Sequence, residues 1–257
     1  MAQDGKPSYT APALEKGLDI VELLASTAEP MSQQQIAARL ERTTSEIFRM
    51  LNVLVRRGYV SREADGTYAQ TLKQFDLAHR HSPVRRLVAN ALPVMQRVSR
   101  LIGQSTHLVV HYDRKILVVA QVDSSEPSGF CVRLGSHYPF RDDRGSVQVL
   151  TAFQPPEEQA ALIDEIVTNG LCHADVAALR AALAALRRRG YYKAASAVVQ
   201  GVTEFSFPVF GGGSGAIAAL ASPYIKQRDV AISLSDTRAA LAEAARDISI
   251  SMGAHAG

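Results

Sequence analysis

The stretch SQQQIAARLERTTSEIFRMLNVLVRRGYV, Ser32 to Val60, holds two helical patterns with a few polar residues between them, and it constrains the fold more than any other part of the chain. Ser32 fits an N-cap with Gln35 as its capping-box partner, and Ile36, Ala37 and Leu40 supply the inward side of a short helix. Glu41 to Thr43 make a turn, Thr43 or Thr44 caps a second helix, and Gly58 ends it behind Arg56 and Arg57, which suit the negative end of its dipole. In that second helix Ile47, Met50, Leu51 and Leu54 recur at helical spacing and mark one buried stripe. Thr44, Ser45, Phe48, Arg49 and Asn52 fall off the stripe, so a second face remains that packing does not explain. Upstream, Leu14 to Thr27 reads as a helix with Leu14, Leu18, Val21, Leu24 and Ala25 on its inner face, stopped near Glu29-Pro30. Downstream, YVSREADGTYAQ reads as two short strands joined across Asp65-Gly66, a dipeptide that tolerates positive φ. Three helices and a hairpin in this order make a winged helix-turn-helix.

In such a unit the second helix of the pair enters the DNA major groove, while the wing and flanking segments meet phosphates. The unexplained face then acquires a partner. Arg49 suits a guanine edge or a phosphate, Asn52 an adenine, Phe48 a thymine methyl, and Ser45 a phosphate or base. Thr43 and Thr44 stand at the helix start, and Arg42, Arg57 and Arg62 are phosphate candidates. Net charge is only +3, from 28 basic and 25 acidic residues, but its distribution is uneven. Arg39 to Arg62 carries six arginines against Glu41 and Glu46, and Ser82 to Arg100 carries four arginines and no acid. Two basic blocks in a nearly neutral chain are the footprint of a phosphate backbone. Solvated helix faces on a protein-binding module are the bland alternative.

The rest of the chain places this unit in a longer arrangement. Residues 1–9 read as a flexible lead, 10–80 as the winged helix, and 81–103 as a linker and dimerisation helix, opened by Pro83, kinked at Pro93 and closed by Gly103. From residue 104 the period changes to that of strands: STHLVVHY, a turn at Asp113-Arg114-Lys115, ILVVAQVD and then GFCVRL. Helices follow after Pro155-Pro156 and Asp175, then a hairpin around GGGSG from Gln200 to Ser222, then an amphipathic helix from Leu234 to Met252. Strands before and after helices in one block give an α+β domain over 104–257. No apolar run approaches a bilayer span and the N-terminus lacks signal-peptide character, so a cytoplasmic location and no membrane partner are expected. Cys131 and Cys172 show neither CxxC spacing nor a disulfide framework, and no metal or cofactor is expected.

The alternative from another class is a small-molecule enzyme with an N-terminal helical oligomerisation module. Its support is thin: GGGSGA lacks a following Lys-Ser/Thr and sits between strands, and Cys172-His173 lie beside Gly170 in a loop. No catalytic residue is expected. His107 and His111 alternate onto one strand face and are candidates to line a pocket, or are ordinary satisfied histidines.

LLASTAEPMSQQQIAARLERTTSEIFRMLNVLVRRGYVSREADGTYAQT resembles the DNA-binding domain of the isocitrate lyase regulator (IclR) family of bacterial transcription regulators. STHLVVHYDRKILVVAQVDS is similar to that family's first sheet strands, RRRGYY to its RxRGY turn, and GVTEFSFPVF with GAIAALASPYI to its last hairpin, so the likeness runs over essentially the whole chain. The resemblance implies a GAF-like effector-binding domain, a homodimer or homotetramer on double-stranded operator DNA, and control of catabolic genes by a small organic or aromatic carboxylate. Departures stand out. Glu41 occupies the usual turn glycine, Thr44 and Glu46 replace a common Lys and Thr, and Ala194, Ala195 and Ser196 follow GYY where acids are usual. The family's pocket segment survives only as Gly145-Ser146 within RDDRGS, and Glu204 stands where a pocket cysteine is common. The effector is therefore expected between the strand carrying Glu204, which alternates with Ser206 away from Phe205 and Phe207, the strand ending at Ser222, and the loop from Arg141 to Ser146, with Arg141 and Arg144 as donors and His107 nearby. A self-paired surface RDDR loop and a surface Glu204 are the bland reading of the same residues.

Overall fold

The computed structural model describes residues 11–80, 82–126, 129–226 and 232–254, which divide into two compact units, one ending at Ser82 and the other beginning at Pro83. The expected lead over 1–9 lies outside the described residues.

The first unit contains α1 (Pro12–Ala25), α2 (Gln33–Arg39), α3 (Thr44–Arg56), β1 (Val60–Arg62), β2 (Tyr68–Gln70) and α4 (Lys73–Arg80). Ser32 and Thr43 cap α2 and α3 with complete capping boxes, through Gln35 and Glu46 respectively. Between the two helices Arg42 N–H donates to the Ala37 carbonyl and Glu41 N–H to that of Ala38, which requires Glu41 to take a left-handed φ of 52°. The hairpin pairs Val60 with Gln70 and Arg62 with Tyr68; of its turn dipeptide only Gly66 takes positive φ, while the Asp65 carboxylate accepts from the N–H and hydroxyl of Thr67.

The core of this unit gathers Ile20, Leu24, Met31, Ile36, Ala37, Ile47, Leu51, Val60 and Tyr68. The inner face of α1 differs from the sequence expectation: Ile20 and Leu24 are buried, whereas Leu14, Leu18 and Ala25 face solvent. Apolar residues lie on two rows of this helix, and its packing partner chooses between them. The row that turns inward also carries Lys16, whose ammonium bonds Glu46 at 2.5 Å and ties α1 to the start of α3.

The second unit contains α5 (Ser82–Ile102), β3 (Thr106–Tyr112), β4 (Lys115–Val122), β5 (His137–Pro139), α6 (Gly145–Ala152), α7 (Pro156–Thr168), α8 (Val176–Arg189), β6 (Tyr192–Ala195), β7 (Val202–Phe210), β8 (Ala216–Ile225) and α9 (Leu234–Ser251). Its strands form one antiparallel sheet in the order β5-β4-β3-β8-β7-β6. One face meets α5 and α9 through Leu108, Phe207, Ala218 and Leu220, with α5 contributing Leu87, Ala91, Met95, Val98 and Ile102. That spacing of three and four residues consumes the apolar stripe of α5 inside this unit, Pro93 included within the helix. The other face meets α6, α7 and α8 through Val109, Val118, Leu150, Ile163, Leu179 and Ala219. The architecture is α+β behind an N-terminal winged helix-turn-helix.

GFCVRL is not a strand. Residues 129–134 have no ladder partner; Gly135, at a φ of 78°, turns the chain, Gly135 and Ser136 exchange backbone hydrogen bonds with Val118, and the regular ladder with β4 runs from His137. Phe130 and Val132 nevertheless point into a cavity while Cys131 and Arg133 are exposed, so the alternation that suggested a strand serves a cavity wall. RDDRGSVQVL likewise proves to be a turn running directly into α6.

Candidate nucleic-acid interface and ligand cavity

The buried side of α3 is Ile47 and Leu51, with Met50 and Leu54 partly covered. Thr44, Ser45, Phe48, Arg49 and Asn52 are all exposed, Phe48 at 45%. All but Asn52, which stands one turn further on from Phe48, lie in the N-terminal half of the helix, the end that a reading helix turns toward base edges. The hydroxyl of Thr43 is engaged in its own cap, donating to Glu46 and accepting from its N–H, which leaves it a positioning role. Lys16 first, then the side chain and backbone of Thr43, hold the Glu46 carboxyl down to about 2, so this acid stays ionised and tied to the fold beside the basic face. Arg42, Arg57 and Arg62 are exposed at the turn, the helix end and the wing, with the Arg62 guanidinium 6.0 Å from the Tyr68 ring.

In the second unit a cavity of about 150 Å³ lies against the sheet face opposite α5, closed by the start of α6 and by the segments around Phe130 and Val198. His107, Arg144, Ser146, Glu204 and Ser222, five of the six residues expected to meet an effector, line it together with Ser196 and Ser206. Apolar walls come from Val109, Ile116, Val118, Val132, Val199 and Phe205. Two buried polar atoms on this lining have no hydrogen-bond partner, Nδ1 of His107 and Nε of Arg144. Burial lowers the His107 pKa to about 4, so the imidazole is neutral. The Arg144 guanidinium lies 5.4 Å from the Tyr138 ring centroid, and Ser196 donates its hydroxyl to Glu204 at 2.5 Å. The remaining hydroxyls are engaged with the frame: Ser222 donates to the Ser105 carbonyl at 2.8 Å, and Ser146 and Ser206 stand 3.4 Å apart.

Arg141 is the exception and does not line the cavity. It precedes the helix start and pairs through two nitrogens with Asp143, whereas Arg144, the N-cap residue of α6, turns inward. Asp142 separates them. Its carboxylate is buried and accepts from the N–H groups of His173 and Ala174 and stands 3.0 Å from the His173 ring. Burial pushes the Asp142 carboxyl up, but these donors more than offset it and the net direction is down. Asp142, Asp143 and His173 bring three ligand-type atoms within 4.8 Å of one another, yet Asp142 is satisfied by N–H donors and Asp143 by Arg141. The group is a clamp that fixes the approach to α6. Tyr138, Phe130 and Ser196 escaped sequence reasoning as lining residues; only the alternation of Phe130 with Val132 carried a local signal.

The model of the IclR helix-turn-helix domain matches residues 13–64, and that of the bacterial transcriptional regulator IclR C-terminal domain matches residues 81–250. The chain belongs to the IclR family. It is an IclR-type, DNA-binding transcription regulator, and the exposed face of α3 is the part of the IclR helix-turn-helix not used in packing. Among IclR relatives, the transcriptional regulator KdgR of Escherichia coli K12 is 25% identical over 256 residues, covering 98% of this chain and 96% of KdgR. The transcriptional repressor AllR of Klebsiella pneumoniae is also 25% identical, over 170 residues that cover 66% of this chain and 61% of AllR. An IclR homolog of Microbacterium hydrocarbonoxydans, solved as a complex with 4-hydroxybenzoate, shares the fold with a TM-score of 0.77 at 24% identity, over 93% of this chain and 98% of that one. Among the described residues no helix is long and apolar enough to cross a membrane.

Proposed function

We propose that this IclR-type regulator binds operator DNA as a homodimer or tetramer and changes its hold on that DNA when a small organic or aromatic carboxylate occupies the cavity beneath α6. One observation carries the effector reading. The cavity is lined by a guanidinium and an imidazole that each present a buried nitrogen without a hydrogen-bond partner, in a chamber whose other walls are apolar side chains, serine hydroxyls and Glu204. A buried donor without a partner is costly, and an anionic ligand supplies what Arg144 lacks. A cavity of about 150 Å³ is the size that holds one six-membered ring, which agrees with 4-hydroxybenzoate in the Microbacterium homolog. His107, Arg144, Ser146, Glu204 and Ser222 are the effector contacts in this reading; Arg42, Thr44, Ser45, Phe48, Arg49, Asn52, Arg57 and Arg62 are the DNA contacts, with Thr43 positioning the helix. The protein acts in the cytoplasm, where its operator is, on genes for degrading its effector, and it is not an enzyme.

Footprinting on DNA from upstream of its own coding sequence, with and without single-ring and short aliphatic acids, tests this. The expected result is a two-fold symmetric footprint with half-sites about one helical turn apart, weakened steeply by salt and altered by at least one acid. An unsymmetrical footprint from a monomer removes the dimer; a footprint insensitive to every acid, with none binding in calorimetry, removes the effector reading.

A further inference from the structure

Glu204 is a carboxylate on a cavity wall without a cation. On the sheet its direct neighbours are Ala194 of β6 and Pro223 of β8, neither of which offers a side-chain donor. Among the described residues no lysine, arginine or histidine lies within 4 Å of it, and one hydroxyl, that of Ser196, is its hydrogen-bond partner. An ionised carboxylate accepts about four hydrogen bonds, so most of its capacity is left over. Arg144 lines the same chamber with its Nε unpartnered; Asp143, the acid nearest to it, stands 3.8 Å away and is held by Arg141. The cavity therefore has a cationic donor and an anionic acceptor on one lining, with His107, the serine hydroxyls and apolar side chains for the rest of the wall. A ligand with a carboxylate alone satisfies Arg144 and leaves a second negative charge facing Glu204. A ligand with a donor as well satisfies both.

We propose that the effector of this chain is a bifunctional acid, a carboxylate whose far end carries a hydrogen-bond donor, with an ammonium group favoured over a hydroxyl; Arg144 takes the carboxylate and Glu204 the donor. The proposal rests on the reading of the cavity as an organic-acid site. The ammonium is favoured because it provides the counter-charge that β6 and β8 withhold from Glu204, and a hydrogen bond between two charged groups is stronger than one from a neutral hydroxyl. Ser196 acts as a positioning residue, orienting the carboxylate by its 2.5 Å bond to Oε1.

Calorimetric titration of the full chain with benzoate, 4-hydroxybenzoate and 4-(aminomethyl)benzoate, and with valerate and 5-aminovalerate, reads the proposal directly. The expected order of affinity is aminomethyl, then hydroxy, then unsubstituted, with the ammonium compound roughly tenfold or more tighter than benzoate. Glu204→Gln is expected to erase that preference while benzoate binds at least as well as to wild type, because a negative charge has left the cavity. Arg144→Gln is expected to weaken every acid. Ser196→Ala, which keeps the carboxylate and removes its hydroxyl partner, is expected to reduce the ammonium preference without abolishing it, and circular dichroism melting shows whether each variant is folded. Equal affinities across the wild-type series, or a preference that survives Glu204→Gln, overturn the proposal and leave the acid site standing. Absence of binding by any of the five acids overturns both.

Discussion

Arg49 shows how much a single residue's position on a helix can say. It lies off the Ile47–Leu51 stripe and is exposed, so its removal costs the fold little. Arg49→Ala is expected to weaken operator binding by about 1–3 kcal/mol, the worth of one bidentate base contact, with an unchanged melting curve. Fluorescence anisotropy on specific and random DNA checks it; equal loss on both sequences makes Arg49 a phosphate contact. His107 makes a prediction of the opposite kind, about stability. Its pKa falls from the usual 6.5 to about 4 on folding, so the unfolded chain binds the proton more readily between those values. Stability is accordingly full above about pH 6.5, declines as pH falls, and levels off below about 4, a loss of about 3 kcal/mol from this one ring. Urea unfolding of wild type and His107→Gln across that window should show the difference, and parallel pH profiles would remove His107 as its source. That Glu204 and Ser206 share a face was legible because strand alternation is local, whereas Ser222, on another strand, was brought in only by the family resemblance. The parting of Arg141 from Arg144 was not, because it depends on Asp142 reaching His173, thirty-one residues away.

At the scale of elements, the cap of α2 was fully readable, Ser32 with Gln35, whereas that of α3 was readable only as Thr43 or Thr44, and its box partner Glu46 emerged from the structure. The inner face of α1 was not readable, because two apolar rows compete and α3 decides between them. The start of α6 depends on a contact that no local pattern shows. A Cβ on Gly145 would come within 2.4 Å of Cδ1 of Tyr192, the first residue of β6. Gly145→Ala is therefore expected to push the start of α6 away from β6 and to cost about 1–3 kcal/mol, in the range of overpacked sites. Because Gly145 and Ser146 line the cavity, acid binding should weaken together with the urea midpoint. Unchanged values for both would mean that Tyr192 swings aside at no cost.

At the scale of the whole molecule, the succession of a helical unit and a mixed one could be read from the change of period after Gly103, but the strand order could not. β3 pairs with β8 across more than a hundred residues, His107 to Ala221, and no local pattern announces such a partner. The two units have separate apolar cores, which makes their stabilities separable. Ile47→Asp places an unpaired charge in the first core and is expected to remove the corresponding calorimetric transition and all specific DNA binding. Acid binding by the second unit should survive, and its loss in this variant would show that the units fold as one. The sheet between α5 and the cavity has a further consequence. Along β3, His107 and Val109 face the ligand chamber while Leu108, the residue between them, packs against the α5 side. β7 follows the same lines, with Glu204 and Ser206 toward the chamber and Phe207 toward the helix, while Phe205 borders both. The partition is one backbone thick, so each of these strands is shared between the chamber wall and the core that holds α5. A guest of the proposed kind would therefore rest on strands that α5 already packs against, so a shift of their backbone would be felt on both faces at once.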